Sequence, residues 1–285
     1  MRRLLYIIIG VWLSVVTQAS TRRVSALPQD STIICQLLEA ARCQSAKTNT
    51  PIFFARKFIG KPYVAHTLEI NDKEQLVVNT REMDCTTLVE TVTALTICVN
   101  RHQYTWRDYL NTLTALRYRD GRIDTYTSRI HYFSEWITSN TKAGFVEEIQ
   151  APKPPFSGVQ KVSVSYMSEH PENYKVLRNH PEFVSEIRQM EQRVSGGVFR
   201  YIPKSLVGNV AMMRKAVRDG DIIAITCNKK GLDIAHLGFA VWKNGELHLL
   251  NASQLHKKVV EEPMTLSQYL RKHPSHIGIR IIRIK

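Results

Sequence analysis

The chain has 285 residues, a formal net charge of +14 and a sequence pI near 9.7. With 44% hydrophobic residues it can build the packed core of one large domain or two small ones, which excludes wholesale disorder. The Lys and Arg residues are dispersed and accompany no nucleic-acid motif, so the charge points to an anionic polymer such as cell wall or a membrane surface, or to nothing beyond a solvated basic surface.

In chain order, Arg2 and Arg3 precede an apolar stretch from Leu4 to Val16, and Thr17-Gln18-Ala19 offers a small-residue cleavage site before Ser20. This is the pattern of a secretory signal peptide over residues 1–19, and the stretch is short of the roughly 20 residues that span a bilayer. The expected mature chain, 20–285, lives in the periplasm or outside the cell. An uncleaved anchor is the alternative. Five cysteines follow, Cys35, Cys43, Cys85, Cys98 and Cys227, and an odd count in an oxidising compartment leaves at least one unpaired. Cys35 and Cys43 share one helix-like stretch, where eight residues rise about 12 Å, too far for a bridge.

Residues 30–45 and 48–60 read as two helices, the second stopped by Gly60-Lys61-Pro62, with Tyr63 just beyond. Leu76 to Asn79 reads as a short strand. It leads to Asp84-Cys85, after which apolar residues at Leu88, Val89, Val92, Leu95 and Val99 keep helical spacing. Asp84 is the expected N-cap and Cys85 opens the helix. A thiol there feels the positive end of the helix dipole, and a lowered pKa is expected from it. A small buried hydrophobe is the competing reading of Cys85.

Residues 104–140 look helical in pieces, with Trp106, Tyr109, Leu110, Leu113 and Leu116 on one core-facing stripe. Arg129 and His131 follow as candidate contacts for substrate sugar and carboxylate groups, Arg being suited to bidentate carboxylate recognition. Pro152, Pro154, Pro155 and Gly158 turn the chain, and Glu182 to Arg193 reads as a further helix. Asp221 to Thr226 is a β-branched strand. Segments 235–242 and 246–252 flank Asn244-Gly245, the strongest short hairpin signal. If Lys243 pairs with Glu246, His236 and Asn251 become diagonal neighbours on one face, while His248 points to the other. Gly278 to Ile284 adds a last strand.

A helix-opening Cys85 and a hairpin presenting His236 beside Asn251 compose a thiol triad: nucleophile, base and orienting amide. The corresponding fold is α+β, a helix carrying the Cys docked on a small antiparallel sheet carrying the His and Asn, as in papain-like enzymes. No metal or cofactor is expected: there is no His-Glu-x-x-His motif, and His273 and His276 lack supporting acids.

Several ordered segments carry a family resemblance. They are Phe58–Tyr63 with Thr67-Leu68-Glu69, Asp84–Glu90, Ser128–Phe133, Tyr166–His170, Gly220–Ala224 and Gly231–Gly238. From about Phe53 onward the chain resembles the NlpC-type papain-like cysteine amidases, in the branch described as N-acetylmuramoyl-L-alanine amidase-like. The resemblance implies cleavage of the amide between N-acetylmuramic acid and L-alanine in peptidoglycan fragments, with Cys85, His236 and Asn251 as the triad. It also implies that Tyr63 lines the cleft and touches substrate. Many relatives carry His where this chain has Asn251. Sister families cut between D-glutamate and a diamino acid and use the Asp before the Cys to bind a free peptide amine, so Asp84 keeps that endopeptidase alternative open. A non-catalytic peptidoglycan-binding protein is the third reading. The stretch from about 105 to 210 exceeds a minimal core of this type, so 20–285 is expected to be a single domain with an insertion there, packed around the cleft and favouring small soluble fragments.

Overall fold

Ile222–Cys227, apolar but for Thr226, is buried along its whole length, and the fold places it mid-sheet between two cores. Ile222 and Ala224 point into one core, Ile223 and Ile225 into the other. The computed structural model describes residues 24–45 and 47–285; the expected signal segment lies outside the described residues. Around Ile222–Cys227 lies an eight-stranded antiparallel sheet. Its order runs Gly158–Lys161, Val198–Pro203, His276–Ile284, Ile222–Cys227, Ile234–Lys243, Glu246–Ser253, Lys258–Glu261. The His276–Ile284 strand serves two partners along one edge: its start pairs with Val198–Pro203 and its end with Val146–Ile149.

The helix Cys85–Asn100 packs on one face of the sheet. Its Leu88, Val92 and Leu95 share a core with Leu237, Phe239, Val241, Leu250 and Ala252. Helices Pro28–Arg42, Thr50–Lys57, Trp106–Arg117 and Phe133–Lys142 complete that layer. Tyr109, Leu113 and Leu116 are buried, as the periodic stripe anticipates. The opposite face is covered by Val210–Ala216 and Leu266–Arg271. A third cluster, with Tyr126, Tyr132, Met167, Ile187 and Met190, packs around Phe183–Val194.

The hairpin keeps the register set by its turn: Lys243 faces Glu246 and Phe239 faces Leu250. Asn244 and Gly245 both take positive φ, +50° and +85°, as a two-residue primed turn requires. The helix expected over 48–60 ends at Lys57, where Phe58 caps it and Gly60 turns at φ +87°. The elements not anticipated include the strands Val146–Ile149, Gly158–Lys161, Val198–Pro203 and Lys258–Glu261, and the helices Val210–Ala216 and Leu266–Arg271. Among the described residues, no helix is long and apolar enough to cross a membrane.

Candidate active site

Asp84 and Thr87 fix the start of the Cys85 helix reciprocally. Thr87 N–H donates to Asp84 Oδ1 at 2.8 Å, and Asp84 N–H donates to Thr87 Oγ1 at 2.9 Å. This capping box holds Cys85 in the first turn. The thiol does not behave as a helix terminus alone would dictate. Burial pushes its pKa up to about 12, and the Asp84 carboxylate pushes the same way; the Leu237 N–H, the Thr86 side chain and its own N–H oppose this without reversing it. The expectation of a depressed pKa is therefore corrected. A desolvated thiolate beside a carboxylate is disfavoured by more than the dipole can offset.

Hairpin pairing brings His236 and Asn251 together: His236 Nε2 lies 2.9 Å from Asn251 Oδ1. Asn251 Nδ2 donates to Glu262 Oε1 at 3.1 Å, which leaves Oδ1 facing the ring. An amide oxygen only accepts, so Nε2 carries the proton and Nδ1 keeps its lone pair. Burial lowers the His236 pKa; Asn251, Glu262 and Asp84 raise it and His273 lowers it further. The Tyr269 ring stacks on His236 with centroids 6.1 Å apart.

Cys85 and His236 line one cleft of about 170 Å³, together with Thr86, His131, Tyr132, Phe133, Met167, Tyr174 and the segment 232–235. The Asp233 carboxylate accepts the Ser134 N–H at 2.7 Å and so ties the 232–235 wall to the helix Phe133–Lys142. Such a volume holds the atoms around one scissile bond, since pockets for whole drug-sized ligands run to several hundred Å³.

The other candidates divide. His131 lies in the cleft wall, with Nε2 2.9 Å from the Tyr126 carbonyl, so that Nδ1 is left as an acceptor. Burial first, and then neighbouring Arg129, hold it neutral by lowering its pKa well below the ordinary value. Arg129 is buried and faces the protein's own carboxylates, Glu69 at 3.8 Å and Glu74 at 3.7 Å, beneath the Tyr126 ring. Its charge is engaged with acids inside the protein. Tyr63 is half-buried beside Cys85 and Asp84, its pKa pushed up to about 12 by burial and then by these two groups. Asp84 Oδ1 is engaged in the cap. His248, on the opposite face, has Nδ1 3.0 Å from the Glu262 carbonyl. Sequence reasoning passed over Glu262, Tyr269 and Asp233. No motif marks Glu262 or Tyr269, whereas Asp233 sits inside the segment Gly231–Gly238 without standing out there as a site residue. All five cysteines are free, Cys35 and Cys43 exposed, Cys98 and Cys227 buried.

Residues 53–279 match the model of a family described as AmiA-like, N-acetylmuramoyl-L-alanine amidase-like. Among solved structures, an N-acetylmuramoyl-L-alanine amidase from Bacteroides uniformis is 40% identical with a TM-score of 0.76, covering 83% of this chain and 97% of that one. A Bacteroides fragilis protein proposed to be a xylanase is 42% identical at TM-score 0.75, covering 81% of this chain and 99% of that one. A Legionella pneumophila protein shares the fold at 22% identity and TM-score 0.71, covering 90% of this chain and 94% of that one. No curated protein matches.

Proposed function

Since the chain belongs to the N-acetylmuramoyl-L-alanine amidase-like family, we propose that it hydrolyses the amide between N-acetylmuramic acid and L-alanine in peptidoglycan fragments, with Cys85 as nucleophile on a papain-like, NlpC-type core. The observation that carries the thiol mechanism is the 2.9 Å bond from His236 Nε2 to Asn251 Oδ1 in a cleft shared with Cys85. It leaves Nδ1 as the basic nitrogen.

In this reading the thiol rests protonated, because burial opposes a standing thiolate. His236 Nδ1 takes the proton as Sγ attacks the lactyl carbonyl, and Asn251 holds the ring in the required tautomer. The Cys85 N–H, at the helix start, faces the developing oxyanion. Imidazolium then returns the proton to the departing L-alanine amine, leaving a thioester. A water deprotonated by Nδ1 hydrolyses that thioester and restores the thiol.

Export follows from the signal-like segment 1–19. Tyr132, Phe133, Met167 and Tyr174, all from within 105–210, line the cleft, which supports a restricted substrate range and small soluble fragments. The test is mass spectrometry of a muropeptide mixture incubated with the purified protein, beside Cys85→Ala. Release of peptide beginning with L-alanine together with intact amino sugar, absent in the variant, is the expected result. Cleavage inside the peptide would replace it with the D-glutamyl endopeptidase reading, and binding without turnover with a non-catalytic one.

A further inference from the structure

One buried charge has no place in a thiol triad. The Glu262 side chain is fully buried, and an ionised carboxylate there is costly unless it is held by donors. It is held at both ends. Asn251 Nδ2 donates to Oε1 at 3.1 Å, and His256 Nε2 lies 3.1 Å from Oε2. The backbone is pinned as well: Glu262 N–H donates to the Leu249 carbonyl at 2.8 Å, and His248 Nδ1 lies 3.0 Å from the Glu262 carbonyl. The result is a continuous line from solvent to the site, His256, Glu262, Asn251, His236, whose outer end is part-exposed.

We propose that Glu262 is a positioning residue that acts through Asn251, fixing the orientation of the Asn251 amide and, by its negative charge, stabilising the imidazolium formed when His236 Nδ1 accepts the Cys85 proton. This rests on the Cys–His reading above. A carboxylate accepts hydrogen bonds and cannot donate them, so Asn251 can offer it only Nδ2. That leaves Oδ1 for the ring and forces the proton onto Nε2. Without the acid, the Asn251 amide is free to turn and offer Nδ2 to the ring, a geometry that puts the proton on Nδ1 and removes the base. The charge matters separately. The charged or titratable groups facing His236 are Asp84 and Cys85 from the Cys85 helix, Tyr269 from Leu266–Arg271, His131 across the cleft, Glu262 after the edge strand, His273 just before the last strand and His276 at its start. Asp84 is committed to its cap, and His273 and His276 disfavour a charged ring. Glu262 is the buried anion coupled to the ring by hydrogen bonds.

The experiment follows the thiol rather than the substrate. The full chain is treated with iodoacetamide at pH 7, and modification of each cysteine is followed by peptide mass spectrometry. The wild type is compared with His236→Ala, Glu262→Gln and His256→Ala. His236→Ala is expected to slow Cys85 alkylation by about a hundredfold or more and Glu262→Gln by about tenfold. Buried Cys98 and Cys227 report the fold in the same sample by staying unmodified. If Glu262→Gln exposes them, His256→Ala, at the part-exposed end, becomes the deciding variant: at least a threefold slowing of Cys85 alone is expected, and no slowing overturns the relay. A Glu262→Gln rate equal to wild type, with His236→Ala slow, overturns the relay and leaves the Cys–His reading standing. A His236→Ala rate equal to wild type overturns both.

Discussion

His236 Nε2 and Asn251 Oδ1 lie 2.9 Å apart across the hairpin, and this single bond decides which ring nitrogen carries the proton and which keeps its lone pair. Removing the amide without removing the ring should therefore cost chemistry rather than binding. For Asn251→Ala we expect kcat on muropeptide to fall about a hundredfold with KM within about threefold, measured by steady-state release of the peptide. An unchanged kcat would assign the orienting role elsewhere.

In the proposed mechanism, protonation of His236 sets the pH dependence. The ring must be neutral to accept a proton, and its folded pKa is lowered, so the neutral form is already dominant at the ordinary histidine pKa of about 6.5. Burial holds the Cys85 thiol protonated up to about 12. Activity per enzyme, as kcat/KM, should rise through an acid limb below about pH 6.5 and then stay level to about pH 9. A profile still rising between about pH 8 and 9 would mean that thiol ionisation, and not His236, limits the reaction.

The Cys85 helix is braced from behind. Arg117 Nε lies 2.7 Å from Glu90 Oε2, both buried, and Arg117 Nη1 donates to the Val77 carbonyl at 2.6 Å. Arg117→Ala strands the Glu90 carboxylate and should destabilise by about 3–5 kcal/mol, read from the urea midpoint at constant m. A loss under about 1 kcal/mol would show that Glu90 simply protonates, in line with the upward pull that burial exerts on its pKa.

Gly238, in the strand Ile234–Lys243, faces Leu249 and Leu250 of the neighbouring strand where no side chain fits. A Cβ there would sit 2.7 Å from the Leu250 carbonyl oxygen and 2.8 Å from Leu249 Cδ1. For Gly238→Ala we expect a destabilisation of about 1–3 kcal/mol as the strands part, with a thermal midpoint several degrees lower by calorimetry. Activity should fall by more than the unfolded fraction accounts for, because the His236–Asn251 spacing opens.

What the sequence disclosed and what it withheld differ in kind. Register in the hairpin was readable because Asn244-Gly245 permits one turn, and that turn fixes the pairings from Lys243–Glu246 to Phe239–Leu250. The Cys85 helix was readable from its cap and its apolar spacing. Local rules govern both. Edge strands such as Gly158–Lys161 and Lys258–Glu261 are short and partly exposed, so they carry little periodic signal. The Cys85 pKa was misjudged because a dipole can be inferred from a helix start, whereas desolvation depends on what other segments stack over the thiol. The acids that engage Arg129 were not legible for the same reason: Glu69 and Glu74 lie more than fifty positions away in the chain. Glu262 was invisible because an acid stands out only through its neighbours in space.

The strand His276–Ile284 stitches Val146–Ile149, Val198–Pro203 and Ile222–Cys227 into one sheet, yet it is translated after all of them. On a ribosome, where chains fold from the N-terminus as they emerge, the Cys85 helix is made long before the sheet that must hold His236 can close. Until that strand emerges, Cys85 is in place while the sheet that forms the other wall of its cleft is unfinished. Order of synthesis thus leaves assembly of the cleft to the end.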